Sequence, residues 1–209
     1  MASSRPSTWL REPSDRTRSW RRAIVGAAAL ATVLCWAREG EAESDSVPIG
    51  LQVQLLAKVA SYDRNLPERS GGRVKLAVIT RDGNSDSERA SAQLLTTLRQ
   101  TPSIGGFPHD DVVLTFTSAT ALAASCRSEH FSVIYLTPGF QDEIAAVRAA
   151  LQGVSVLSVT TVPSDVSAGI VLGFATASGK PKLLFHVTQA KLQNVAMSTE
   201  VVRLMTVFE

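Results

Sequence analysis

The side chains in this chain that could do chemistry are few and widely spaced. His109, His130 and His186 stand apart, and none has a second His or Cys at the spacing of a zinc site. His109 beside Asp110 and Asp111 is the densest local group, and a solvated turn ahead of a strand accounts for it. Asp82-Gly83-Asn84-Ser85-Asp86 sets oxygen-bearing side chains at alternate positions, as a calcium loop does. Without that motif's distal Glu it reads as a polar turn. Serine is abundant, yet no G-x-S-x-G elbow selects a nucleophile, and neither G-x-G-x-x-G nor G-x-x-x-x-G-K-S/T occurs. Catalysis needs titratable groups that converge, so these residues point away from an enzyme and imply no cofactor and no metal.

The elements that must position these residues follow from hydrophobic periodicity. Segment 47–65 carries apolar residues at helical spacing, and Tyr62-Asp63-Arg64-Asn65 ends it. Apolar runs at 73–80, 112–116, 131–136 and 154–160 read as buried strands, alternating with helices at 86–100, 119–127 and 141–151. That alternation predicts an α/β fold, a mainly parallel sheet flanked by helices on both faces. Two more apolar runs, 170–176 and 182–187, are separated by Ser178, Gly179 and Pro181 and form a C-terminal antiparallel hairpin. Two terminal helices follow: Asn194 can take the left-handed conformation that ends the first, and Ser198 or Thr199 can cap the second.

In such sheets small ligands sit at the carboxyl ends of the strands. Three loops would converge there, 81–85, 117–120 and 137–141, and Asp82, Asn84, Ser118 or Gly139 could hold a ligand. The same residue types also serve turns and helix caps.

The N-terminus resembles a secretory signal peptide. Arg16, Arg18, Arg21 and Arg22 precede an apolar run from Ala23 to Trp36, and Gly40 and Ala42 frame a cleavage site. That run is 14 residues long, whereas a spanning helix needs about 20, so cleavage is expected over a retained membrane anchor. Residues 1–42 are therefore read as a signal peptide and 43–209 as a single periplasmic domain. Arg21-Arg22 fits a twin-arginine signal poorly, and Val33 and Leu34 are too bulky for a lipoprotein site at Cys35. The leader holds 7 of the 21 Lys/Arg and 4 of the 19 Asp/Glu, which leaves a net charge of −1. The high overall pI thus belongs to the leader, and nucleic acid is not an expected partner. Cys126 is left alone, a small buried residue without an intramolecular disulfide partner. A homodimer is compatible with the sequence.

Several blocks resemble the YfiR family of exported bacterial proteins. They are Leu136-Thr137-Pro138-Gly139, Val162-Pro163, Gly169-Ile170-Val171-Leu172-Gly173-Phe174, Gly179-Lys180-Pro181-Lys182-Leu183-Leu184, Gln189-Ala190-Lys191, Gln193-Asn194-Val195 and Leu204-Met205. The resemblance spans approximately 51–208 and is most specific in its last third. It implies a compact periplasmic domain that contacts a membrane signalling protein; founding members repress a diguanylate cyclase through its periplasmic part and lower cyclic-di-GMP. Two departures stand out: Phe185-His186-Val187 lies where the family commonly has an I-N-L-like triplet, and the family's cysteine pairs are missing. Redox control through a disulfide is therefore not carried over. The partner contact is expected around Tyr62 and Arg64 and on the final helices. The competing reading is a periplasmic small-ligand-binding component.

Overall fold

A computed structural model describes residues 47–209. The chain enters through α1 (Ile49–Val59), a 3-10 turn (Ala60–Tyr62) and α2 (Leu66–Ser70). It then alternates β1 (Val74–Thr80), α3 (Ser85–Arg99), β2 (His109–Thr115), α4 (Ala119–Ser128), β3 (Val133–Leu136), α5 (Ile144–Ala150), β4 (Leu157–Thr160) and α6 (Ser164–Ala168). The hairpin β5 (Leu172–Ala177) and β6 (Lys180–His186) leads into α7 (Val187–Leu192), α8 (Thr199–Val202) and β7 (Thr206–Phe208).

One sheet runs in the order β2-β1-β3-β4-β5-β6-β7. All neighbours are parallel except β5 and β6. Because β1 and β3 are buried on both faces, successive side chains feed two cores. Val74, Leu76, Val78, Val133 and Tyr135 pack with Val53, Leu56, Leu94 and Leu98 of α1 and α3. Ala77, Ile79, Ile134 and Leu136 pack with Leu122, Ala123, Ile144 and Val147 of α4 and α5. This is the helix, sheet, helix layering that the unbroken apolar strand runs require. A buried polar chain pins α1 across the sheet: the Tyr135 hydroxyl donates to Gln52 Oε1 at 2.7 Å, and Gln52 Nε2 donates to the Val47 carbonyl at 2.6 Å.

The predicted fold class holds, with local differences that have physical causes. β2 begins at His109 rather than at 112. As an edge strand with one neighbour it can carry charge, so Asp110 stays exposed beside Arg73 while His109 bonds Asp111 at 2.7 Å and the Thr101 carbonyl at 2.9 Å. His109 is thus part of the ladder and not a solvated turn. The hairpin is not the edge of the sheet, because β7 adds parallel to β6 where helix was expected. Ser198 occupies the N-cap of α8 without a capping bond from its hydroxyl; its N–H is held instead by the Tyr62 carbonyl at 2.9 Å. Asn194 adopts the anticipated left-handed backbone, with φ 54°.

The segment after α1 is held by a buried ion pair between Asp63 and Arg69, whose side chains are 0% and 3% exposed. The second Asp63 oxygen accepts from the Asn65 and Ala196 amides at 3.1 and 2.9 Å. Arg69 Nε donates to the Ser132 carbonyl at 3.0 Å and Nη1 to the Asn194 carbonyl at 3.2 Å. Three distant segments are joined at one point. Removing a single partner from a buried pair leaves an uncompensated charge, so Asp63→Ala should lose about 3–5 kcal/mol of stability in urea unfolding. The double change Asp63→Ala with Arg69→Met, which leaves no charge behind, should be less damaging than Asp63→Ala alone.

Candidate functional site

In a sheet of this order the chain leaves β1 in one direction to make β2 and returns on the other side to make β3. The switch point lies between the carboxyl ends of β1 and β3, where a ligand crevice is expected. Asn84 and Gly139, from the loops after those two strands, meet there. Asn84 is the N-cap of α3, its Oδ1 accepting from the Ser87 amide at 2.9 Å. Gly139 has φ 98°, and a Cβ built on it would stand 2.6 Å from Asn84 Nδ2. Only glycine satisfies both the backbone angle and the approach of the Asn84 amide.

Beneath them runs a directed hydrogen-bond chain. The Arg81 amide donates to Ser87 Oγ at 2.8 Å, and the Thr137 hydroxyl donates to the Ile79 carbonyl at 2.7 Å. The 2.6 Å contact between Ser87 and Thr137 must then be Ser87 donating. Each hydroxyl gives its one proton to a protein acceptor, and both residues are fully buried beneath the loops. Ser118 sits after β2, exposed, and caps α4 by accepting from the Ala121 amide at 3.1 Å. Asp82 is exposed and lines an open pocket of about 340 Å³ with Arg81, Glu88 and Thr115. The four residues read as ligand loops therefore divide: Asn84 and Gly139 are brought together, Ser118 caps a separate helix, and Asp82 alone keeps a free carboxylate at a cavity. Ser87 and Thr137, which organise the crevice, lie outside that set; their types signalled only a helix first turn and a loop entry.

The second candidate region is the expected contact surface. Tyr62 is 45% exposed, Arg64 is exposed, and Asp63 between them points inward to its ion pair. The Arg64 amide donates to the Ala196 carbonyl at 3.0 Å, and Asp63 forms an antiparallel bridge with Met197. The loop at Tyr62 and Arg64 and the segment entering α8 are thus hydrogen-bonded to each other, and Leu204, after α8, is 69% exposed.

Among the described residues no group of His, Cys, Asp and Glu could hold a metal ion, and no helix is long and apolar enough to cross a membrane. Cys126 is buried, and desolvation pushes its thiol up to about 12, with Arg127 opposing weakly. It is a thiol at neutral pH and so a poor nucleophile. Asp165 is buried against the Thr160 hydroxyl at 2.8 Å, and burial raises its carboxyl above the usual range.

His186 does what an asparagine could do in its place. Its Nδ1 accepts from the Gln189 amide at 3.3 Å and caps α7, which requires that nitrogen unprotonated. Burial, and then the Arg148 cation, lower its pKa.

Residues 50–205 match the model of the YfiR/HmsC-like family (DUF4154), and the chain belongs to that family. At the level of the family these are periplasmic regulators of cyclic-di-GMP signalling. No curated protein matches the chain. Solved structures share the fold. One is a conserved domain protein from Vibrio cholerae, with TM-score 0.51 and 14% identity over 78% of this chain and 60% of that one. Another is an ABC domain in complex with L-Trp from Streptococcus pneumoniae, with TM-score 0.54 and 8% identity over 78% and 62%. A third is the ligand-free, open CD0873 of Clostridium difficile, a substrate-binding protein with adhesive properties, with TM-score 0.53 and 12% identity over 79% and 61%. The chain spans about three fifths of the length of each, and at these identities the likeness is one of fold alone.

Two outcomes are expected. Ser87→Ala interrupts the relay and leaves the Arg81 amide without its acceptor, which should cost about 1–3 kcal/mol in urea unfolding. Ser85→Ala, at an exposed site on the same turn, should stay within about 0.5 kcal/mol of wild type. His186 has a folded pKa below its unfolded value, so its contribution is present above about pH 6.5 and lost as pH falls through the folded value. Urea midpoints at pH 7 and pH 5 should differ more for wild type than for His186→Asn, whose side chain can still cap α7. Equal losses would remove His186 as the cause.

Proposed function

We propose that this protein is an exported, non-enzymatic regulator that acts by contact on the periplasmic part of a membrane signalling protein in the cyclic-di-GMP pathway. Residues 1–42 serve as a cleaved signal peptide and 43–209 as the working domain. Membership of the YfiR/HmsC-like family carries this reading. The strand-end crevice supports it physically, since its hydroxyls are engaged within the protein rather than aimed outward. Tyr62 and Arg64, with the neighbouring 196–198 segment, form the contact surface. An exposed aromatic beside an exposed arginine is the composition of an interface anchor.

A second reading has one specific observation in its favour. Asp82 and Arg81 line an open cavity of about 340 Å³ between α3 and the carboxyl ends of β1 and β2, on the far side of β1 from the switch point. Under it the protein is a periplasmic small-ligand-binding component. The ABC domain of similar fold binds L-Trp.

The two readings part in one set of measurements. On the regulator reading, deleting the gene raises cyclic-di-GMP, and Tyr62→Ala with Arg64→Glu reproduces the deletion while melting temperature stays near that of wild type. Unchanged cyclic-di-GMP in the deletion strain, with the wild-type protein exported normally, overturns it. On the ligand reading, some metabolite in a broad panel raises the melting temperature, because a ligand bound only to the native state stabilises it, and Asp82→Ala removes that shift.

A further inference from the structure

The amino ends of β3 and β4 frame an open cavity of about 450 Å³, at the opposite end of the sheet from Asp82 and Asn84. Three parts of the chain build most of it. α4 closes with His130 in the left-handed conformation, φ 54°, and with the Phe131 amide donating to the Cys126 carbonyl at 3.2 Å. That turn sets Arg127 and Phe131 on one cavity. α2 contributes Glu68 and Arg69, and the segment entering β4 contributes Val154 and Ser155. Cys126, Phe131 and Val154 are buried and make the apolar part of the wall, whereas Glu68, Arg127 and Ser155 are exposed.

The polar groups of this cavity are donors in excess. Among the described residues Arg127 pairs with no carboxylate, although Glu68 lines the same cavity. Ser155 Oγ accepts from Asn194 Nδ2 at 3.1 Å, which leaves its own proton to give. Arg69, with its side chain 3% exposed, spends three of its five N–H groups on Asp63, Ser132 and Asn194. Its charge is met by Asp63, so the uncompensated cation of the cavity is Arg127. The carbonyl end of α4 is weakly negative, and an anion bound here therefore depends on that side chain. Asn194 holds both Ser155 and Arg69, so these two donors need no rearrangement to receive a ligand.

We propose that this cavity binds a small organic carboxylate with a short apolar body. The planar guanidinium of Arg127 takes the carboxylate as a fork, and the Ser155 hydroxyl adds a further donor. The hydrocarbon part lies on Cys126, Phe131 and Val154. Glu68 limits the charge: a second negative group on the ligand shares the cavity with its carboxylate, which disfavours a doubly charged anion such as phosphate. A neutral molecule of the same shape leaves Arg127 unmatched. Preference for a monoanion thus comes from one attracting and one repelling side chain, on α4 and α2 respectively. The inference is independent of the regulator reading and of the Asp82 cavity.

The test uses the protein recovered from cells that express the full chain, at constant ionic strength. Benzoate and butyrate are the probes, with phosphate as the doubly charged anion and benzyl alcohol as the neutral counterpart. Isothermal titration should show saturable binding of benzoate or butyrate at one site per chain. At roughly tenfold above its measured Kd, the bound probe should raise the melting temperature by about 3–6 °C. Arg127→Ala should weaken binding by about tenfold or more and leave the melting temperature of the free protein unchanged. Arg127→Lys, which keeps the charge and loses the fork, should fall between. Glu68→Gln should admit succinate, the dicarboxylate counterpart of butyrate, which the wild type rejects. The proposal is overturned by no saturable binding of either carboxylate, by equal binding of phosphate or benzyl alcohol, by binding indifferent to Arg127→Ala, or by rejection of succinate unchanged in Glu68→Gln.

Discussion

The buried carboxylate of Asp63 is the constraint on which the arrangement of the surface depends. A charge inside a protein is tolerated only when its lone pairs are met, and Asp63 meets them with one side chain and two amides drawn from both ends of the domain. Because Arg69 in turn reaches Ser132 and Asn194, the entry to β3 and the end of α7 are fixed to the same point. Asn65 adds bonds to Asn194, and Asn194 bonds Ser155 ahead of β4. The exposed flanks of the pair, Tyr62 and Arg64, inherit their position from it. The loop surface that carries them is tied through that pair to the entry of β3 and the end of α7.

At the opposite end of the sheet, backbone and side chain solve a different problem. The loops after β1 and β3 approach closely at the switch point, which would strand amides and carbonyls away from water. The sequence Arg81, Ser87, Thr137, Ile79 closes them into one directed chain, and Gly139 makes room for the Asn84 cap. The crevice that in other folds of this kind receives a ligand is occupied here by its own polar groups, and the open cavity at Asp82 lies on the β2 side of β1. Such an end ties the two loops to the sheet.

How far this was legible in the sequence depended on range. β1, α3, α4 and the hairpin were readable because their signals are periodic and local: an unbroken apolar run, a cap three residues before its amide, a Ser-Gly turn. β7 was hidden because three residues after a short helix carry no period, and only pairing with β6 makes Thr206–Phe208 a strand. The start of β2 was hidden for the opposite reason, since His-Asp-Asp looks like a turn until the strand is known to be an edge. The candidate site shows the same division. Asn84 and Ser118 were recognisable as capping types, whereas the partners of Asp63 and of Ser87 lie at separations no local pattern encodes.

His186 shows why a departure from a family pattern can preserve its physics. The position follows the last long strand and opens α7, so it must offer an acceptor to a helical amide; asparagine does this with an amide oxygen, and His186 does it with Nδ1. The exchange is neutral only while the ring is neutral, a state favoured by its burial and by the Arg148 cation. The helix it caps leads directly to the Asn194 turn and the Ala196 amide that Asp63 requires. Protonating His186 therefore acts on the same chain segment that the buried ion pair anchors, and the substitution converts a cap indifferent to pH into one that weakens in acid.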